Sequence, residues 1–182
     1  KNSNRLDANN IFNLNRLSSQ ETLEGGLSLS YGSDYVLTEI ENNREVLSLK
    51  IANNLRLNQN KNLERNNQLG ARMSNIFSEI VYSPNEFLTT KYNMAMKNNI
   101  KDINYENLSA KFKINNFITT FDYLNENNSD QNSYLLNKTS YNFNNSNKIS
   151  FSTRENKKTD LVEYYNLMYQ YQNDCLAASI EY

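Results

Sequence analysis

SNIFSEIVYSPNEFLTTKYNMAM, residues 74–96, reads as two alternating runs hinged on Ser83, Pro84, Asn85 and Glu86. In the second run Leu88, Thr90, Tyr92, Met94 and Met96 share one face, and Phe87, Thr89, Lys91, Asn93 and Ala95 share the other. A period of two is what a pleated strand imposes, so the stretch predicts a β-hairpin. Pro84 is the only proline in the chain. It presets φ for a corner, and the Asn after it tolerates one.

The same unit recurs on both sides. Upstream, residues 1–20 predict a long polar loop. Residues 21–40 predict a strand that alternates Leu23, Gly25, Leu27, Leu29 and Tyr31 against polar residues, with Gly32 marking a bulge. Residues 46–57 return with Leu47, Leu49 and Ile51 on one face. Downstream, residues 104–114 set Leu108, Ala110, Phe112 and Ile114 against Asn107, Ser109, Lys111 and Lys113, and Phe117, Phe121 and Tyr123 share a face of the next run. Runs at 134–143, 148–154, 161–171 and 175–182 follow, the last with Leu176, Ala178, Ile180 and Tyr182 on one side. The whole predicts an all-β antiparallel up-and-down meander of about ten strands.

Composition narrows the functional classes. Of 182 residues 36 are Asn, a count that an A- and T-rich codon usage accounts for without any structural message. The chain has 13 Tyr and 8 Phe but no His. Disordered chains are poor in aromatics, so so polar a composition still predicts a folded chain. Without His there is no Ser-His-Asp triad, no Cys-His pair and no imidazole metal site. The carboxylate pairs Glu21 with Glu24 and Asp122 with Glu126 sit at no spacing that marks acid and base work. Gly25 and Gly26 lack the Lys and Ser or Thr of a phosphate loop. The expectation is no enzyme, no cofactor and no metal. A net charge of -1 argues against nucleic acid. The sequence begins at Lys1 with no charged leader ahead of an apolar core, and an internal fragment is the expectation.

The connections alternate in length. Short ones fall at 41–44, at Ser83 to Glu86, at Asn115 and Asn116, at 144–147 and at 172–174. Longer, more polar ones fall at 58–73, 97–103, 125–133 and 155–160. Roughly ten-residue alternating strands with short turns at one rim and long loops at the other form the pattern of a transmembrane outer-membrane β-barrel. Tyr82, Phe87, Phe112, Phe117, Phe143, Phe151, Tyr169 and Tyr171 lie close to the short turns, where an interfacial girdle would sit. On this reading Leu108, Ala110, Phe112, Phe117, Phe121, Tyr123, Leu176, Ala178 and Ile180 face lipid. The short turn at Ser83, Pro84, Asn85 and Glu86 is then periplasmic, and Lys111, Lys113, Lys138 and Arg154 line a wet lumen. Half-apolar alternation is equally expected of a soluble or secreted β-rich binding module, such as an adhesin repeat.

Three segments resemble one family, in order along the chain. NNIFNLNRLSSQETLEGGLSLSYG (Asn9 to Gly32) is similar to the segment of the lipopolysaccharide-assembly family LptD, also called OstA, in which a Phe and Asn-Arg loop leads into an acidic residue, glycines and Tyr-Gly. NQLGARMSNIFSEIVYSPNEF (Asn67 to Phe87) resembles its Ser-Gly-Leu loop, following strand and Ser-Pro turn. YNLMYQYQNDCLAASIEY (Tyr165 to Tyr182) resembles its Tyr-x-x-x-Cys segment. The resemblance implies that residues 1–182 are the C-terminal part of a large barrel in the outer membrane of a Gram-negative bacterium, without the N-terminal periplasmic domain and the terminal strands. It implies lipopolysaccharide and outer-membrane lipid as molecules met, an LptE-like lipoprotein in the lumen, and periplasmic Lpt bridge proteins as partners. It also implies that Cys175 forms a disulfide to a cysteine outside the fragment, which an oxidising periplasm would keep. A single Cys stands here, between Asp174 and Leu176, where relatives carry two adjacent ones. A small buried apolar role for Cys175 stays open beside it.

Overall fold

The computed structural model describes residues 6–13, 16, 24–63, 68–127 and 132–182. Ten strands form one sheet: β1 Ser28–Glu39, β2 Arg44–Arg56, β3 Ile76–Asn85, β4 Leu88–Met96, β5 Ile103–Ile114, β6 Phe117–Glu126, β7 Ser133–Asn142, β8 Asn147–Asn156, β9 Leu161–Gln172 and β10 Ala177–Glu181. Each pairs antiparallel with its neighbour in sequence, in the order β1 to β10. The expected meander is therefore observed, and among the described residues no pairing joins β1 to β10.

Consecutive hairpins place residues 40–43, 86–87, 115–116, 143–146 and 173–176 at one rim, and the ends of the connections after β2, β4, β6 and β8 at the other. Local chemistry closes the tight turns. Asn43 and Asn115 take φ of 48° and 50°, left-handed values that Asn tolerates better than most residues. The length alternation is strong at the β1 side and gone at the other. β8 runs to Asn156, so 157–160 is no longer than 173–176. The side chain of Asn156 accepts from the backbone N–H of Lys158 at 3.0 Å and folds the chain back early.

The central hairpin turns later than its proline implies. Ser83, Pro84 and Asn85 belong to β3, Asn85 pairs with Leu88, and the reversal is Glu86 and Phe87. Asn85 Oδ1 accepts from the N–H groups of both Phe87 and Leu88, at 3.0 and 2.9 Å, which closes the turn from the Asn side chain. Pro84 sits where the register shifts, between Tyr82 and Asn85, a place where no ladder donor is required of it.

Three further expectations are corrected near β1. The strand starts at Ser28, because Gly26 at φ 94° and Glu24 belong to a polar junction with Arg56. Leu14, Leu17, Glu21 and Leu23, which the alternation and the loop reading included, lie outside the described residues. Gly32 pairs regularly with Ala52, and the bulge falls between Leu37 and Thr38. A Cβ at Gly32 would stand 2.5 Å from the Ile51 carbonyl oxygen and 3.0 Å from the Phe12 ring, so Gly is there for close approach. Phe12 ends a 3-10 turn, Asn10–Phe12, in the segment expected to be loop. That segment buries Leu6, Ala8 and Ile11 against Ala52, Phe77 and Ala95 of the sheet and Leu63 and Leu69 of the 57–75 connection. This cluster is the described core, and it lies at the long-loop rim. A fully buried Phe such as Phe77 contributes on the order of 1.5–3 kcal/mol.

Candidate functional site

Directly paired residues of an antiparallel sheet project to the same face. Following the register across the sheet therefore sorts every strand residue. One face carries Tyr35 and Leu37 of β1, Leu47 and Leu49 of β2, Ile80 and Tyr82 of β3, and Tyr92 of β4. Leu108 pairs with Tyr123, Ala110 with Phe121 and Ile114 with Phe117, which with Phe112 opposite Thr119 brings all six residues of the expected lipid-facing set in β5 and β6, and Ile114 besides, onto this face. It continues through Tyr141, Ile149, Phe151, Leu167 and Tyr169. Ala178 and Ile180 join it opposite Tyr171 and Tyr169, whereas Leu176 lies in the turn before β10.

The exposed large apolar side chains of the strands are almost all on this face, Val36, Leu161 and Tyr164 being the exceptions. Leu108, Phe121 and Ile180 are 46, 43 and 75% exposed. Apolar side chains exposed on neighbouring strands are the mark of a surface that meets a partner or a membrane. Its polar members satisfy one another. Thr119 and Thr139 hydroxyls lie 2.7 Å apart, Asn137 Nδ2 donates to Thr119 Oγ1 at 3.2 Å, and Thr139 Oγ1 donates to Asn137 Oδ1 at 3.2 Å. Nearer the long loops, Tyr92 and Asn125 both donate to Glu106, each at 3.1 Å. Aromatics gather by the short turns, with Tyr141 and Phe143 edge to face at 5.1 Å.

The opposite face is polar. In β5 it carries Asn107, Ser109, Lys111 and Lys113, and across it Lys111 faces Thr120, which faces Lys138. Arg154 pairs with Glu163 at 2.7 Å and lies over the Tyr134 ring at 4.1 Å. The irregularity between Arg154 and Glu155 makes this possible, because it leaves Glu163 unpaired in the ladder and lets it reach both Arg154 and Asn156. On β1 to β4 the segment holding Ile11 covers this same face.

Two polar junctions there were not legible in the sequence. Glu24 accepts from Arg16 and Arg56 at 2.6 Å each, with Arg56 also bonded to the carbonyls of Gly25 and Leu69. Glu79 accepts from Lys91 at 2.7 Å and from Asn9 at 3.0 Å. Both carboxylates are committed to cations, and the partners come from distant parts of the chain. Among the described residues no group of His, Cys, Asp and Glu could hold a metal ion.

Cys175 is exposed, in the turn after β9. The position argues against the buried packing role. It is the only Cys of the sequence, so no disulfide closes within it.

No curated protein matches the chain. A family model does: the one described as LptD, LPS transport system D, matches residues 1–154, from the start of the chain to the eighth strand. Cys175 and all of β9 and β10 lie beyond that match. With residues 1–154 of its 182 covered, this chain belongs to the LptD family of lipopolysaccharide transport proteins.

Proposed function

We propose that this chain is part of the wall of a transmembrane β-barrel in the Gram-negative outer membrane, which delivers lipopolysaccharide to the outer leaflet. The observation that carries the reading is the division of the sheet into one apolar and one polar face. The apolar face, including Leu108, Ala110, Phe112, Phe117, Phe121, Tyr123, Ala178 and Ile180, meets lipid. The polar face lines the lumen, where an LptE-like lipoprotein seats. The rim of short turns, with Ser83, Pro84, Asn85 and Glu86 at one of them and Cys175 at another, is periplasmic and faces the Lpt bridge proteins. The bonding of Thr119, Asn137 and Thr139 to one another supports this, since polar groups in hydrocarbon find no water. The role is transport, with no catalytic residue.

Depletion of the full-length protein tests it. Newly made lipopolysaccharide should lose access to a membrane-impermeant label at the cell surface while total synthesis continues. Unchanged surface labelling after depletion would contradict the proposal.

A further inference from the structure

The apolar face is not equally tall on every strand. On β4 it runs from Leu88, at the short-turn rim, through Thr90, Tyr92 and Met94 to Met96 without a charge or a carboxamide. On β5, β6 and β8 the residue at the same distance from that rim, eight positions from the strand end, is Glu106, Asn125 and Glu155. These polar groups are held in place. Glu106 pairs with Asn125 across the ladder neighbour, through a 3.1 Å bond from the Asn125 amide, and accepts from the Tyr92 hydroxyl at 3.1 Å. Glu155 accepts from Lys157 at 2.8 Å.

Below that row the lipid-facing run extends only from Phe117 to Tyr123 on β6 and from Ile149 to Thr153 on β8. At about 3.3 Å per residue and a tilt of about 40°, those runs rise roughly 15 and 10 Å along the membrane normal, against about 25 Å for the apolar band of an outer-membrane barrel. A carboxylate is costly in hydrocarbon and far less so at the interface, and a bilayer accommodates a wall too short for it by thinning. We propose that the wall from β5 to β8 draws the headgroups of the leaflet at the long-loop rim down to Glu106, Asn125 and Glu155, so that the membrane is thinner there than beside β4. The partner this surface fits is a compressed lipid bilayer. The inference rests on the apolar face meeting lipid, as proposed above.

The test places single cysteines at Met96 and at Asn125 in otherwise cysteine-free full-length protein in intact outer membranes. Each is offered a lipid-phase thiol probe and a small water-soluble one, and a cysteine at Ala110 reports insertion. The expected result is labelling of Met96 from lipid and of Asn125 from water, although the two stand equally far from the short-turn rim. With Glu106→Leu in the same chain the Asn125 cysteine should pass to the lipid-phase probe, a shift of the boundary to the next lipid-facing residue. Labelling of Met96 from water, labelling of Asn125 from lipid, or labelling of Asn125 that Glu106→Leu leaves unchanged overturns the local thinning in protein whose Ala110 site labels from lipid, and leaves the barrel reading intact. Water labelling at Ala110 overturns the barrel reading and the thinning with it.

Discussion

Arg56 Nη2 donates to Glu24 Oε1 across 2.6 Å, and the Arg56 side chain is 1% exposed. The guanidinium ties two other segments to β2, since it also donates to Gly25, next to Glu24 in front of β1, and to Leu69 in the 57–75 connection. Without Arg56, Glu24 keeps Arg16, but the buried Leu69 carbonyl loses its donor from Arg56, at about 1–3 kcal/mol. Arg56→Met should therefore loosen the long-loop rim. Limited proteolysis is expected to cut within 57–75 in the variant and not in the parent protein, and equal resistance would show that the junction does not hold the loop.

Asn9 Nδ2 donates to Glu79, which also holds Lys91, and so ties the buried segment around Ile11 to β3. A hydrogen bond to a charged group contributes about 1.5–3 kcal/mol. Asn9→Leu should raise hydrogen exchange at the Ile11 amide, which donates to the Asp7 carbonyl at 3.2 Å, while strand amides in β6 to β8 stay protected. Unchanged exchange at Ile11 would remove Asn9 as an anchor.

Asp102 closes the 97–102 loop by accepting from Asn99 at 2.8 Å and Lys97 at 3.3 Å, and these two contacts hold its carboxyl below the ordinary aspartate range. A carboxyl whose pKa is depressed on folding adds order to the loop above its unfolded value and loses it as pH falls through the folded value. The loop should loosen only in that acid window, and Asp102→Asn should abolish the pH dependence. Exchange of the Lys97 amide, bonded to the Asp102 carbonyl at 2.9 Å, reads this directly.

The exposed turn that carries Cys175 faces an oxidising compartment if it is periplasmic. Full-length protein on a non-reducing gel should then shift on reduction, and Cys175→Ser should not. Identical mobility of the two would leave the thiol unpaired.

Strands whose two faces differ were readable from residue order alone. In β5 and β6 every second residue from Leu108 to Tyr123 is apolar or Thr, and the register puts them together as the alternation requires. The turn at Pro84 was misplaced because a proline in the second position of a corner and a proline at a register shift look alike in sequence; the side chain of Asn85 distinguishes them. Leu6, Ala8 and Ile11 show no period, so nothing local announces their burial, which comes from Ala52, Phe77 and Ala95, far along the chain. Glu24 was visible as a carboxylate, but its cations are Arg16 and Arg56, and only the folded sheet brings those three together.

Ala110 and Ser109 are neighbours on opposite faces of β5, one opposite Phe121 and the other opposite Asp122. Cysteines placed at each, in otherwise cysteine-free full-length protein in intact outer membranes, ask which face meets lipid. The account predicts that the Ala110 cysteine reacts with a lipid-phase thiol probe and resists a small water-soluble one, and that the Ser109 cysteine does the reverse. Reversed labelling, or water-soluble labelling at both positions, would contradict it.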